Sequence, residues 1–378
     1  MSGIYLHIPF CKQACHYCDF HFSTSLYLKS RLVEAMLIEL EWQKQYCDEP
    51  IETIYFGGGT PSLLSERELN KLMEVIYKNY SISDKTLEVT LEANPDDINS
   101  SKLKELKNIG INRLSIGLQS FHEEHLRLMN RAHNAEESQK CVKLAQDHGF
   151  DNLTIDLIYG IPYKDHSVWY DDLATAITLN VSHISSYCLT VEDKTALGNW
   201  AKRGKFKPAE DEYAAEQFEY LVDTLKKEGF EHYEISNFAK QGYYSKHNSA
   251  YWKGKPYVGI GPSAHSFDGK QSRQFNVSNN PKYIKSILEE GKLNYEKETL
   301  SRADGINEYL LTTLRTSWGC DLQHLKEVYR FDLKKERESI LKQMDDNGWL
   351  LWKANYLVLS EKGKLFADQI ASDLFKDE

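Results

Sequence analysis

The chain has 378 residues, 41% of them hydrophobic, which is enough to build the buried cores of two or three domains. A formal net charge of -10 argues against non-specific binding to nucleic acid, and the absence of any apolar run of about 18 residues argues against an integral membrane protein. The seven cysteines lack the spacing of a disulfide framework, so we expect a reducing, cytoplasmic environment.

Short β-branched runs alternate with longer amphipathic stretches in the first half of the chain. Six candidate strands lie at residues 4–10, 53–59, 88–94, 113–120, 152–160 and 183–190, with helical spacing between them. Alternating strands and helices predict a parallel sheet with right-handed crossovers. Six units are too few for a closed eight-stranded barrel, so an open doubly wound sheet and an incomplete barrel both fit the pattern.

The pattern loosens after about residue 200 and changes again near residue 301. The last segment contains three helical stretches, two short apolar runs around Lys353-Ala354-Asn355, and a final helix, which resembles a winged helix. Many winged helices bind DNA, but residues 301–378 hold 12 basic and 14 acidic residues, which favours a structural or partner-binding role. DNA binding at this end, with the rest of the chain as a sensor, is a weaker alternative. We predict a core barrel over 1–230, a connecting region over 231–300 and a C-terminal domain over 301–378.

Three cysteines, Cys11, Cys15 and Cys18, directly follow the first candidate strand in C-x3-C-x2-C spacing. With His21 they could form a Cys3His zinc site. They could equally bind a [4Fe–4S] cluster whose fourth iron stays open to a small molecule, since no fourth cysteine lies nearby. Simple packing is the third interpretation, and the spacing alone leaves all three open.

Polar or glycine-rich residues also occur where the next four candidate strands end. They are Gly57-Gly58-Gly59-Thr60-Pro61, Glu92 with Asn94, Gln119 and Asp156. The carboxyl ends of parallel strands share one rim, where α/β proteins bind their ligands. One glycine would suffice for a tight turn, so three in succession indicate backbone in close contact with a ligand. A zinc site needs no such rim, and the open cluster with a small-molecule ligand is therefore favoured.

The C-x3-C-x2-C and GGGTP motifs together resemble those of the radical S-adenosylmethionine superfamily. YLHIPFC, YFGGGTPS, LEANPD, IGLQSF, LMNR and IDLIYGIP are similar to its coproporphyrinogen III oxidase-like branch, over nearly the whole chain. The resemblance implies an incomplete (β/α)6 barrel, a [4Fe–4S] cluster on Cys11, Cys15 and Cys18, and S-adenosylmethionine chelating the open iron. The family's chemistry is the one-electron reductive cleavage of that sulfonium. The implied contacts of S-adenosylmethionine are Tyr5, Tyr17, Gly58, Gly59, Thr60, Glu92, Gln119, Arg131 and Asp156.

Two functions occur in this branch. The oxidases decarboxylate coproporphyrinogen propionates to vinyl groups, whereas the related HemW haem chaperones bind haem and deliver it. Oxidases generally carry a further cysteine where this chain has Phe20, and they have a longer extension before the motif that begins here at Tyr5. HNSAYW at residues 247–252 resembles the chaperones' HNxxYW motif.

The resemblance therefore favours a chaperone over an oxidase. It implies His247, Tyr251 and Trp252 as contacts of a haem cargo, with the His247 imidazole as a plausible ligand of the iron. The implied partners are haem-recipient proteins, such as membrane-associated respiratory-chain proteins, and no nucleic acid is expected.

Overall fold

The six predicted strands form most of the parallel part of a twelve-stranded sheet in the computed structural model, which describes residues 2–83 and 87–377. Adjacent strands pair in parallel in the order of the chain, which confirms the predicted arrangement. These strands are β1 (Ser2–Ile8), β2 (Ile51–Gly58), β3 (Glu88–Ala93), β4 (Arg113–Gln119), β5 (Leu153–Tyr159) and β6 (His183–Cys188).

Helices connect these strands and cover the outside of the sheet. They are α1 (Lys29–Trp42), α2 (Glu66–Asn79), α3 (Ser100–Ile109), α4 (Glu123–Leu128), α5 (Ala135–Asp147), α6 (Ser167–Thr178), α7 (Ala196–Lys202) and α8 (Asp211–Lys227). Local signals set their ends: Ser65 and Glu68 form a capping box before α2, and Gly110, at φ 97°, ends α3. The buried faces of α1, α2, α3, α5, α6 and α8 pack on the apolar residues of the sheet.

The region after residue 230 adds strands to both edges of the same sheet. It comprises β7 (Glu231–Glu234), β8 (Asn237–Ala239), α9 (Lys246–Trp252), β9 (Tyr257–Ile260), β10 (His265–Phe267), β11 (Ser272–Asn276), α10 (Asn280–Leu288) and β12 (Tyr295–Thr299). β9 pairs in parallel with β1, and β8 pairs antiparallel with β6. Over the described residues the sheet runs from β12 to β7 without closing, as expected of an incomplete barrel. The proposed boundary at residue 230 stays a prediction.

The last part of the chain, here called the C-terminal unit (residues 302–377), has its own apolar core and the predicted helices and hairpin. Its elements are α11 (Arg302–Leu314), β13 (Cys320–Asp321), α12 (Leu322–Val328), α13 (Leu333–Glu336), α14 (Glu338–Asp346), β14 (Leu350–Lys353), β15 (Tyr356–Leu359), α15 (Glu361–Lys364) and α16 (Ala367–Asp373). The three strands form a small sheet with β15 in the middle. None of the helices described along the chain is both long enough and apolar enough to cross a bilayer.

Candidate functional site

The cysteine loop leaves the carboxyl end of β1 and is anchored by backbone hydrogen bonds. The Cys11 N–H donates to the Ser23 carbonyl at 3.0 Å, and the His16 N–H donates to the Met129 carbonyl at 3.0 Å. Cys11, Cys15 and Cys18 are free thiols of intermediate exposure, whereas Cys47, Cys141 and Cys320 are buried. The loop thus presents three thiols together at the rim of the barrel.

The three thiols influence one another electrostatically. The pKa of Cys18 is raised to about 11, mainly by burial and in part by the neighbouring Cys15 and Cys11. Burial also raises the pKa of Cys11, whereas a hydrogen bond with Thr60 lowers it. Bound iron would reverse this effect, because its positive charge stabilises thiolates that otherwise repel one another. The donor set therefore fits a cluster held by three cysteines.

His21, the fourth ligand of the zinc alternative, has one ring nitrogen hydrogen-bonded outside the cysteine loop. Its Nε2 lies 2.7 Å from Oδ1 of Asn280, at the start of α10. Within residues 2–83 and 87–377, no three Cys, His, Asp or Glu side chains are arranged to hold a single metal ion. A tetrahedral zinc site needs four donors at about 2.0–2.3 Å from one ion. In a [4Fe–4S] cluster, by contrast, each thiolate binds a different iron.

The Gly57-Gly58-Gly59 turn is packed against the protein itself. A Cβ at Gly58, which has φ 106°, would lie 2.6 Å from the His7 ring, and one at Gly59 would lie 2.7 Å from the Phe10 carbonyl oxygen. The Thr60 N–H also donates to the Phe10 carbonyl, at 2.7 Å. Close packing against β1 and the cysteine loop thus excludes larger side chains here, and contact of Gly58 and Gly59 with S-adenosylmethionine stays a prediction.

Two carboxyl groups lie inside the barrel below this rim. Glu92 accepts hydrogen bonds from the Tyr55 hydroxyl at 2.8 Å and from the Gly58 N–H at 3.1 Å. Burial raises its pKa to about 7, against the opposing effect of the Tyr55 hydrogen bond. Burial also raises the pKa of Asp156, to about 6. Both groups therefore titrate close to neutrality.

The Arg131 side chain connects the cysteine loop to the ends of β3 and β4. Its Nη1 lies 3.3 Å from the Cys15 sulfur and 3.5 Å from the Tyr17 hydroxyl, and its Nη2 donates to the Gly117 carbonyl at 2.6 Å. Its Nε is buried and has no hydrogen-bond partner among the described residues. An unpaired donor on a guanidinium can bind a ligand carboxylate.

Gln119, another predicted contact, ends β4 in a strained conformation. Its φ is 70°, and the pairing of β4 with β5 shifts register between Gly117 and Gln119. Positive φ at a residue other than glycine is uncommon, and such strain clusters at functional sites.

Tyr5 lies deeper in the barrel than the other predicted contacts. Its hydroxyl is 3.1 Å from Nδ1 of His7, and its ring lies 6.3 Å from that of His247. Sequence reasoning missed His7 and Tyr55 as site residues. Period-two alternation could have identified both, since each lies two positions from a predicted residue, Tyr5 or Gly57, on the same face of its strand.

His247 lies at the opposite end of the barrel from the cysteines. It is 2% exposed, with Nδ1 2.7 Å from the Thr53 hydroxyl and Nε2 2.9 Å from the Tyr251 hydroxyl. Its ring stacks on Tyr55 at 4.9 Å. Burial, followed by the charge of Arg113, lowers its pKa to about 3, so the imidazole is neutral at neutral pH. The two sites lie at opposite ends of the barrel because Thr53 is near the start of β2, whereas the cysteine loop follows the end of the parallel strand β1.

The predicted residues thus form two groups. The three cysteines, Tyr17, Thr60 and Arg131 meet at the carboxyl rim, with Glu92, Gln119 and Asp156 on the neighbouring strands. His247 and Tyr251 lie together in α9 at the other end, and the Trp252 ring is covered by the guanidinium of Arg315, 5.4 Å away.

Comparison with known proteins places this arrangement in a family. Residues 5–172 match the model of the radical SAM superfamily. The chain is 34% identical over 375 residues to the heme chaperone HemW of Bacillus subtilis, covering 98% of both chains. This chain belongs to the HemW family of the radical SAM superfamily.

Another relative and a solved structure are consistent with this family assignment. HemW of Escherichia coli is 31% identical, over 97% of this chain and 96% of its own length. The solved structure of coproporphyrinogen III oxidase (HemN) from E. coli superposes with a TM-score of 0.85, covering 99% of this chain and 90% of that one. At 21% identity, that likeness establishes the shared radical SAM fold.

Proposed function

We propose that this HemW-family protein is a haem chaperone that binds haem and delivers it to recipient proteins. The observation that carries this proposal is the similarity to curated heme chaperones along 98% of the chain. The HNSAYW segment supports it, because its histidine has the surroundings of an oriented metal ligand.

At the carboxyl rim, Cys11, Cys15 and Cys18 would hold the [4Fe–4S] cluster, and the other rim residues would hold S-adenosylmethionine. When bound, these groups supply the one-electron reductive cleavage typical of the superfamily. Arg131 would bind the methionine carboxylate through its unpaired Nε, and its contact with Cys15 would keep that carboxylate beside the cluster. Glu92 and Asp156 would stabilise the positive charges of the ligand.

At the other end of the barrel, His247 would bind haem iron through Nε2. Nδ1 is already fixed by the buried Thr53 hydroxyl, as metal-binding histidines usually are by a hydrogen bond on their second nitrogen. Iron would replace the Tyr251 hydroxyl at Nε2. The rings of Tyr251 and Trp252 would then supply apolar surface for the porphyrin.

We also propose that the protein works in the cytoplasm and transfers haem to recipients such as membrane-associated respiratory-chain proteins. The cysteines support a reducing compartment, since all seven are free thiols.

A haem titration followed by a transfer assay tests the proposed function. We expect anaerobic, cluster-loaded protein to bind one haem per chain and to pass it to an apoprotein acceptor such as apomyoglobin faster than haem passes from serum albumin. Failure to bind haem, or binding without transfer, would refute the chaperone role.

A further inference from the structure

The HNSAYW helix α9 is covered on one side by the C-terminal unit. The Arg315 guanidinium lies 5.4 Å from the centre of the Trp252 ring, and the Lys253 ammonium lies 4.9 Å from that of Trp318. Nε1 of Trp252 is buried without a hydrogen-bond partner among the described residues. A guanidinium stacked on an indole occupies the face that a flat porphyrin would need.

Arg315 is in turn fixed to the barrel. Its Nε and Nη2 both lie 3.3 Å from Oε1 of the buried Glu234, and its Nη1 lies 2.6 Å from Oδ1 of Asp368. Glu234 and Thr316 form an antiparallel bridge, in which the Ile235 N–H donates to the Arg315 carbonyl at 3.1 Å and the Ser317 N–H to the Tyr233 carbonyl at 3.0 Å. Arg315 therefore joins the barrel, Trp252 and the C-terminal unit.

A second set of charged side chains joins the barrel to the C-terminal unit. Glu361, at the start of α15, lies 2.7 Å from the Lys226 ammonium of α8 and 3.7 Å from Nδ1 of His232 in β7. These partners hold the pKa of Glu361 far below its usual range, with His232 the largest cause.

The contacts lie far from the covalent link between the two parts. The C-terminal unit is joined to the barrel just before α11, whereas Arg315 follows the last residue of that helix. Thirteen helical residues span about 20 Å. The Arg273–Glu308 ion pair, at 2.8 Å, joins β11 to α11 nearer the link. The unit can therefore swing about that end once the Arg315 and Glu361 contacts break.

We propose that the C-terminal unit is a cover over the HNSAYW segment, and that haem reaches His247 only when the Arg315 contacts release. This inference rests on the proposed haem-binding function and deepens it. Because haem and the Arg315 guanidinium compete for the same face of Trp252, opening of the cover controls the rate of haem association.

Substitutions at the exposed ends of the contacts test the cover without removing Arg315 from its buried partner Glu234. We expect the double variant Asp368→Ala/Glu361→Ala to bind haem about fivefold faster than the wild type, and the amides of Ile235 and Ser317 to exchange hydrogen faster. Asp332→Ala is the matched control, because Asp332 pairs with Lys326 inside the C-terminal unit. Unchanged haem association and amide exchange in the double variant would overturn the proposal.

A reversible cross-link provides the opposite test. Residues facing each other in this kind of antiparallel bridge have Cα atoms about 4.5 Å apart, so Glu234→Cys/Thr316→Cys should form a disulfide. We expect the oxidised form to bind haem at least about tenfold more slowly, with the rate restored by a phosphine reductant. Equal rates in both forms would refute the cover.

The two proposals fail in different ways. If wild-type protein binds no haem, or binds it independently of His247, the proposed haem function fails. If haem binding depends on His247 but responds to neither the cross-link nor the double variant, only the cover fails.

Discussion

At the carboxyl rim three thiols are partly exposed and Arg131 keeps an unpaired donor, whereas at the other end of the barrel His247 is buried with both ring nitrogens bonded. The rim has ligand groups available before any ligand arrives. The HNSAYW segment has to exchange existing contacts first. The comparison indicates that the cluster site is formed before its ligands bind, whereas the haem site has to open before haem can bind.

Loss of the cluster should be the largest effect. The triple variant Cys11→Ala/Cys15→Ala/Cys18→Ala should fall from about four bound iron atoms per chain to none after anaerobic reconstitution, measured by iron and sulfide analysis. Cys188→Ala, at an exposed cysteine outside the loop, is the control and should keep its cluster. A colourless wild-type protein with one zinc per chain would show that the rim holds a different metal.

Removing the proposed haem ligand should be the next largest effect. His247→Ala should weaken haem binding by about 100-fold, because the iron loses its imidazole ligand, and should leave the cluster intact. His265→Ala is a suitable control, since His265 is exposed and is close enough to His7, at the carboxyl end of β1, to lower its pKa. Absorbance titration with haem measures both affinities. If His265→Ala weakened binding and His247→Ala did not, haem would belong at the rim and the two-site comparison would fail.

A change at Arg131 should affect only the rim. Arg131→Lys should weaken S-adenosylmethionine binding by about tenfold to thirtyfold, because an ammonium cannot reproduce the fork of donors. Equilibrium dialysis on cluster-loaded protein gives this affinity, with Arg127→Lys on exposed α4 surface as the control. Haem affinity should not change, and an equal loss of both ligands would point to a general loss of structure.

The two sites should also differ in their pH dependence. Affinity for S-adenosylmethionine should rise about tenfold from about pH 6 to about pH 8, because Glu92, with a pKa of about 7, ionises and attracts the cationic ligand. Glu92→Gln should abolish this rise in affinity with pH. His247, with a pKa of about 3, should contribute no step to haem binding in this range.

The stability of the ligand-free protein should change in the opposite direction. Burial raises the folded-state pKa of Glu92 above the unfolded value, so the folded state binds the proton more tightly. The free energy of unfolding should therefore fall as pH rises from about 4.5 to about 7. Urea unfolding of wild type and Glu92→Gln at several pH values measures this contribution, and identical slopes would show that folding does not raise the pKa of Glu92.

The sequence predicted the parts of the fold that are encoded locally. In β1 to β5 apolar residues recur at every second position, as Ile4, Leu6 and Ile8 do in β1, and this local pattern marks the segments as strands. β12 was missed because its five residues are all exposed, so it has no apolar pattern. The expectation that ligands bind at the carboxyl ends of parallel strands also located the rim, because it depends only on the alternation of strands and helices.

Other features of the site depend on contacts between distant segments. Arg131 follows a short helix and has no sequence pattern that distinguishes it from a surface arginine, so only the family resemblance indicated it. The burial of His247 depends on Thr53, 194 residues away, and the cover on Trp252 depends on Arg315. No local pattern encodes such contacts, and the closed state of the HNSAYW segment could not have been predicted.

The most direct test of the chaperone account is to incubate cluster-loaded protein with S-adenosylmethionine, a reductant and either coproporphyrinogen or haem, side by side. The account predicts binding of one haem per chain and no protoporphyrinogen. Turnover of coproporphyrinogen to protoporphyrinogen without stoichiometric haem binding would contradict it and identify an oxidase.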